Sequence, residues 1–131
     1  MKKKRLLDSF ALLAYLKKEN NWQRVKDLLS SADNPLLMND VNVGETYYIL
    51  ARERSMEQAD AFLDVILPSL PIIVRSNSFE HVIEASKIKA RHPLSFADCF
   101  AAATALRENA VIVTGDPEFK HVRNLIDIEW L

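Results

Sequence analysis

The chain has 131 residues, 49% of them apolar and 27% charged, with a formal net charge of -1 at pH 7. This excludes a disordered chain and supports one globular domain over residues 1–131. The near-neutral charge argues against bulk electrostatic gripping of nucleic acid, while leaving open an enzyme that handles it through a metal and a few local cations. The one cysteine, Cys99, excludes an internal disulfide and fits a reducing, cytoplasmic compartment.

Lys2-Lys3-Lys4-Arg5 before apolar residues imitates a secretory leader. Asp8 interrupts the apolar run, and Lys17-Lys18-Glu19 follows without a small-residue cleavage site. No stretch approaches the ~18 apolar residues of a membrane span. The basic leader reads as a solubilising entry to a strand ending at Leu6-Leu7, with Asp8 at the strand tip. Ser9 is the expected cap of a helix marked by Phe10, Leu13, Ala14 and Leu16. Asn20-Asn21 breaks that helix. Trp22, Val25, Leu28 and Leu29 mark a second, and Asp33-Asn34-Pro35 a turn.

Leu36-Leu37-Met38 reads as a buried strand. Asn39 or Asp40 caps a third helix running to about Arg54. Ser55 starts a fourth, with Ala59, Phe62, Leu63 and Ile66 on one face and Pro68 at its end. Pro71-Ile72-Ile73-Val74 is a strand rich in β-branched residues. Ser78 starts a helix carrying Val82, Ile83, Ala85 and Ile88, and His92-Pro93 ends it. Ser95 to Glu108 is the last long helix, Val111-Ile112-Val113 a strand, and Asp127 to Trp130 an edge strand. Strands alternating with helix pairs imply parallel crossovers, hence a three-layer α/β/α sandwich with a central parallel sheet covered on both faces.

In such a sheet ligands bind beyond the carboxyl ends of the strands, where Asp8 and Asp116 fall. Gly115 is expected to let the backbone turn sharply before Asp116. Glu45 shares a helix stripe with Val41, Tyr48 and Ile49, so its carboxylate faces apolar side chains. Asp98 has Ala101, Ala102 and Ala105 on its face, small residues that let the helix approach the sheet. Each acid also has a structural reading: Asp8 as a cap, Asp116-Pro117 as a turn, Glu45 as a partner of Arg52, and Ser95-x-x-Asp98 as a capping box. Taken together, carboxylates about 5 Å apart repel by roughly 3 kcal/mol per pair at an effective dielectric near 20. A hard divalent cation offsets that repulsion, and all-oxygen ligands suit magnesium or manganese. Such ions over a phosphodiester activate water and stabilise the leaving oxygen.

These residues resemble the PIN-domain family, and within it the VapC-type ribonuclease toxins of prokaryotic toxin–antitoxin pairs. The resemblance lies in Leu6-Leu7-Asp8-Ser9, Asn42-Val43-Gly44-Glu45, the run from Leu94 to Leu106 and the run from Ala110 to Phe119. It implies that Asp8, Glu45, Asp98 and Asp116 are the four catalytic and metal-binding acids. Ser9 and Thr114 match hydroxyl positions that assist the metal site or its waters. It further implies a magnesium- or manganese-dependent endoribonuclease acting on an RNA substrate, a homodimer, and a cognate antitoxin whose C-terminal segment enters the site. Thr46 departs from the apolar residue more usual after the glutamate, which bears on helix packing.

Other readings compete. Metal-free RNA cleavage needs two histidines, and His81, His92 and His121 are available but fall at helix ends or on polar faces. Cys99 reads as a small buried thiol. Trp22, Tyr47 and Tyr48 read as packing residues more readily than as stacking platforms for bases. A non-catalytic PIN-like module that binds RNA or protein would be expected to lack one or more acids, and all four are present. A phosphohydrolase would want a second aspartate where Phe10 stands.

Overall fold

A computed structural model describes residues 3–31 and 34–131. Lys2 of the basic leader and Asp33 of the expected turn lie outside the described residues. The elements are β1 (Lys4–Leu7), α1 (Ser9–Lys17), α2 (Trp22–Ser30), β2 (Leu36–Asn39), α3 (Asp40–Glu53), α4 (Met56–Ala61), α5 (Leu67–Ser69), β3 (Ile72–Arg75), α6 (Phe79–Arg91), α7 (Phe96–Glu108), β4 (Ala110–Thr114) and β5 (Ile128–Trp130). Five parallel strands lie in the order β3-β2-β1-β4-β5 between two helical layers.

Strand alternation sorts the apolar runs between the two layers. Leu6, Leu37 and Ile112 pack with Phe100, Ala101, Ala105 and Ala85 of α6 and α7. Leu7, Leu36 and Val113 pack with Ala11 of α1 and Val25 and Leu29 of α2. The alanine-rich face of α7 carries no long side chains, so the helix lies close to the sheet. Coverage of the sheet is incomplete, contrary to the expectation from sequence. β3 is an edge strand, and Ile73 and Val74 are exposed.

The helix starts follow local chemistry. Asn39, Ser55, Ser78 and Ser95 each accept a backbone N–H in the first turn that follows. Ser9 differs from expectation: Asp8 is the cap, accepting the Ala11 N–H at 2.9 Å, and Ser9 is the first helical residue. The segment after Ser55 also departs. Pro68 does not end it; Phe62–Ile66 form a π-turn that leads into α5, with Pro68 inside the final turn. A proline there has no N–H for Asp64 and its ring crowds that carbonyl, and the wider turn accommodates both. Phe62 is buried while Leu63, expected on the same face, is exposed. Asn109 ends α7 with φ 51°, a left-handed cap that asparagine tolerates.

One buried polar network was not legible in the sequence. Asn39, at the end of β2, donates to Thr104 Oγ1 of α7 at 2.8 Å and to Asn77 Oδ1 at 2.9 Å, and accepts from Asn77 Nδ2 at 2.8 Å. It ties β2, α7 and the loop after β3 together. Asn39→Ala removes the central member of this network from a fully buried position. It should cost about 1–3 kcal/mol of stability, read as a lower denaturation midpoint in urea with an unchanged slope.

Candidate metal centre

The strand order reverses between β1 and β4, so a crevice opens at their carboxyl ends. The register pairs Leu7 with Val113, which sets the next residues, Asp8 and Thr114, side by side. Thr114 Oγ1 donates to Asp8 Oδ2 and accepts the Asp116 N–H at 3.0 Å. One hydroxyl therefore orients both acids. Asp8 is 1% exposed. Burial pushes its carboxyl up to about 8, with the charges of Asp98 and Asp116 adding to the rise, against the hydrogen bonds from Thr114 and Ala11.

Asp98 sits in the first turn of α7, which Ser95 caps by accepting the Asp98 N–H at 3.2 Å. The cap sets the start of the helix, and its side chain is buried, 5% exposed. Burial first, then the charge of Asp116, push its carboxyl up to about 7, and Glu45 and Glu118 contribute further. Asp116 is half-buried and caps a 3-10 turn over Pro117–Val122, accepting the Glu118 N–H at 2.9 Å.

One carboxylate oxygen each of Asp98, Asp116 and Glu118 lies within 4.8 Å of the other two. Oxygens in one magnesium shell with bonds of about 2.1 Å lie up to about 4.2 Å apart. The trio gathers in a space somewhat wider than such a shell, and its all-oxygen chemistry fits magnesium or manganese. Asp8 and Glu45 border this trio and do not join it. Asp8 is coupled by charge to Asp98 and Asp116, and Glu45 to Asp98. Glu45 is half-buried on α3 and accepts from Ser9 Oγ, which ties α3 to the first turn of α1. It does not pair with Arg52, whose guanidinium lies over the Tyr48 ring instead.

Glu118 escaped the sequence reading. Its signal was an acid two residues beyond Asp116, with proline between to force a tight turn. Asn42 escaped it too: its Nδ2 donates to the Ala97 carbonyl at 3.1 Å, joining the helix of Glu45 to that of Asp98. Gly115 has a different role from the one expected. Its φ is not positive; a Cβ there would lie 2.3 Å from Phe10 Cε1, so glycine makes room for the ring.

The competing chemistries find little support in the geometry. His81 Nδ1 accepts the Ser78 N–H in a capping box, and His92 is the cap at the opposite end of α6. Cys99 is buried, and burial pushes its thiol up, away from the nucleophilic thiolate. Trp22 lies under Lys18 and Lys26, and Tyr47 donates to Asp60.

A family model described as PIN domain matches residues 5–125. Among solved structures, the chain is similar to VapC20 of Mycobacterium tuberculosis, described as a sarcin–ricin loop cleaving toxin. The TM-score is 0.78 and the identity 17%, over 96% of this chain and 99% of that one. It is also similar to a chain of VapBC2 from Rickettsia felis bound to a promoter DNA fragment, with TM-score 0.74 and 22% identity over 97% and 98%. For the DNA-bound VapBC of Salmonella typhimurium the TM-score is 0.73 and the identity 19%, over 98% of both chains. At these identities the likeness establishes the fold. No curated protein sequence matches the chain.

Without a cation, the raised Asp8 and Asp98 carboxyls keep protons in the folded state that the unfolded chain gives up near pH ~4. Their contribution to stability is therefore present in acid and is lost as pH rises through about 7 to 8. In EDTA the melting temperature should fall between pH ~5 and pH ~8, and Asp8→Asn should flatten that slope. Manganese should raise the melting temperature more at the upper end, measured by scanning calorimetry.

Proposed function

The chain belongs to the PIN-domain family, and from that premise we propose that it is a divalent-metal-dependent endoribonuclease, the toxin of a toxin–antitoxin pair. The observation that carries the reading is the trio of carboxylate oxygens from Asp98, Asp116 and Glu118 beside the buried, charge-coupled Asp8. That much negative charge in one crevice suits a cation and the phosphodiester the cation holds.

Asp98, Asp116 and Glu118 would hold magnesium or manganese, with Asp8 and Glu45 completing the negative lining. The bound ion supplies an activated water and stabilises charge on the leaving oxygen. The chain's own residues set the arrangement. Thr114 directs its hydroxyl proton to Asp8 and receives the Asp116 N–H, so it positions both acids. Ser9 does the same for Glu45. Burial and neighbouring acids raise the Asp8 and Asp98 carboxyls, so a cation held there would be bound with release of protons.

The cognate partner is an antitoxin, by analogy with the VapBC assemblies of Rickettsia felis and Salmonella typhimurium, and the family resemblance implies that its C-terminal segment enters the same crevice. The toxin acts as a homodimer in the cytoplasm, and residues 1–131 form a single PIN-like nuclease domain. All-acid ligation and the absence of a histidine pair at the site favour this reading over a metal-free ribonuclease, and the full set of acids favours it over a binding module.

The test is cleavage of single-stranded RNA in magnesium or manganese. Asp8→Asn and Asp98→Asn should each lower kcat by at least about 100-fold, an order set by the loss of metal-centred electrostatic stabilisation, with unchanged circular dichroism. Glu118→Gln should raise the metal concentration needed for half-maximal rate. EDTA should abolish cleavage and added manganese restore it. Cleavage that persists in EDTA would refute the metal reading.

A further inference from the structure

We propose that Phe10 is a stacking platform for an unpaired base of the RNA strand and thereby selects single-stranded substrate at the site. The inference rests on the nuclease reading of the adjoining crevice and extends it to a residue outside the acid cluster.

Phe10 follows Asp8 and Ser9 in the first turn of α1, and both of those side chains belong to the crevice. Its ring lies on Gly115 so closely that a Cβ would meet Cε1 at 2.3 Å and Cζ at 2.9 Å. Gly115 is flanked by Thr114, which orients Asp8, and by Asp116 of the carboxylate trio. The ring is thus pinned at the lip of the crevice from two directions, through α1 and through the end of β4. It nevertheless remains 43% exposed. One exposed apolar side chain is ordinary by itself. Here the informative fact is position, as Phe79 illustrates: it is 78% exposed, at the start of α6.

A partly exposed ring held against Gly115 beside the proposed cleavage site matches what unpaired bases seek. Base–aromatic stacking is sequence-tolerant, and it requires the base to be free of its own stack and pair, as in single strands and loops. The acids bring no affinity of their own for phosphates, and the chain's net charge of -1 supplies little. Stacking provides a grip on the substrate that does not depend on bulk charge.

The experiment compares the wild-type chain with Phe10→Leu and Phe10→Trp on a single-stranded RNA oligonucleotide in manganese. Leucine keeps apolar packing on Gly115 but cannot stack. It should raise KM by roughly 5- to 100-fold with kcat within about threefold of wild type, and tryptophan should restore KM. A series of abasic substitutions around the scissile bond should find one position where base removal raises KM in wild type and no longer does so in Phe10→Leu. A purely structural role for the ring would not produce that loss of sensitivity. If Phe10→Leu cuts with wild-type KM, or the abasic penalty persists in it, the proposal is wrong. Unchanged RNA kinetics together with a changed solution mass would make Phe10 a protein contact and equally overturn it. If wild type cuts no RNA in either metal, the nuclease reading fails first, an outcome distinct from these.

Discussion

The pairing of Leu7 with Val113 is the constraint on which the rest of the crevice depends. It is a backbone fact, set by two buried apolar strands that have no other way to bury both faces. Its consequence is chemical: the residues one step beyond, Asp8 and Thr114, arrive side by side, and the threonine hydroxyl locks the carboxylate. A shift of one residue would turn every side chain of β4 to the opposite face. Val113 would leave the α1–α2 layer at the moment Thr114 left Asp8. Core packing and site assembly are therefore specified by the same hydrogen-bond ladder. That is why a site built from residues far apart in the chain is held without a disulfide or long-range ion pair within it.

Helices bring the remaining acids to this point. Ser95 sets the start of α7 and hence the height of Asp98 above the sheet, and the alanine face sets how near the helix lies. Asn42 and Ser9 tie α3 to α7 and α1, so Glu45 is held from two sides. The network of Asn39, Asn77 and Thr104 braces α7 further along. Apart from the Ser95 cap, these polar contacts run between elements, and none of them is mirrored in local periodicity.

That difference explains what could be read from the sequence. The strands, most of the helix caps and the four spaced acids follow from runs, periods and neighbours within a few residues, and all the expected strands and long helices are present. Glu118 was missed because its approach to Asp98 depends on a 3-10 turn after a proline, where helical and strand periods both fail. Leu63 was assigned to the buried face of its helix, yet it sits at the open margin of that face and is exposed. Gly115 was given a backbone role, when its reason is the Phe10 ring, a neighbour more than a hundred residues earlier in the chain.

The acids share one further feature. Asp8 caps α1, Asp98 lies in the first turn of α7, Asp116 caps the 3-10 turn and Glu118 lies within it. Asp8 and Asp116 each accept a backbone N–H, and all four lie at starts whose N–H groups carry partial positive charge, worth roughly 0.3–1 kcal/mol apiece. Mutual repulsion of roughly 3 kcal/mol per close pair exceeds that. Backbone dipoles alone therefore leave the crevice short of neutral, and this repulsion adds to burial in raising the Asp8 and Asp98 carboxyls. Only Glu45, in the middle of α3, lacks a helix end, and it takes a hydroxyl proton from Ser9 instead. The fold thus holds the cluster together without a cation while leaving it under electrostatic stress. A divalent ion relieves that stress by replacing protons, so the same imbalance that weakens the empty crevice strengthens its hold on metal.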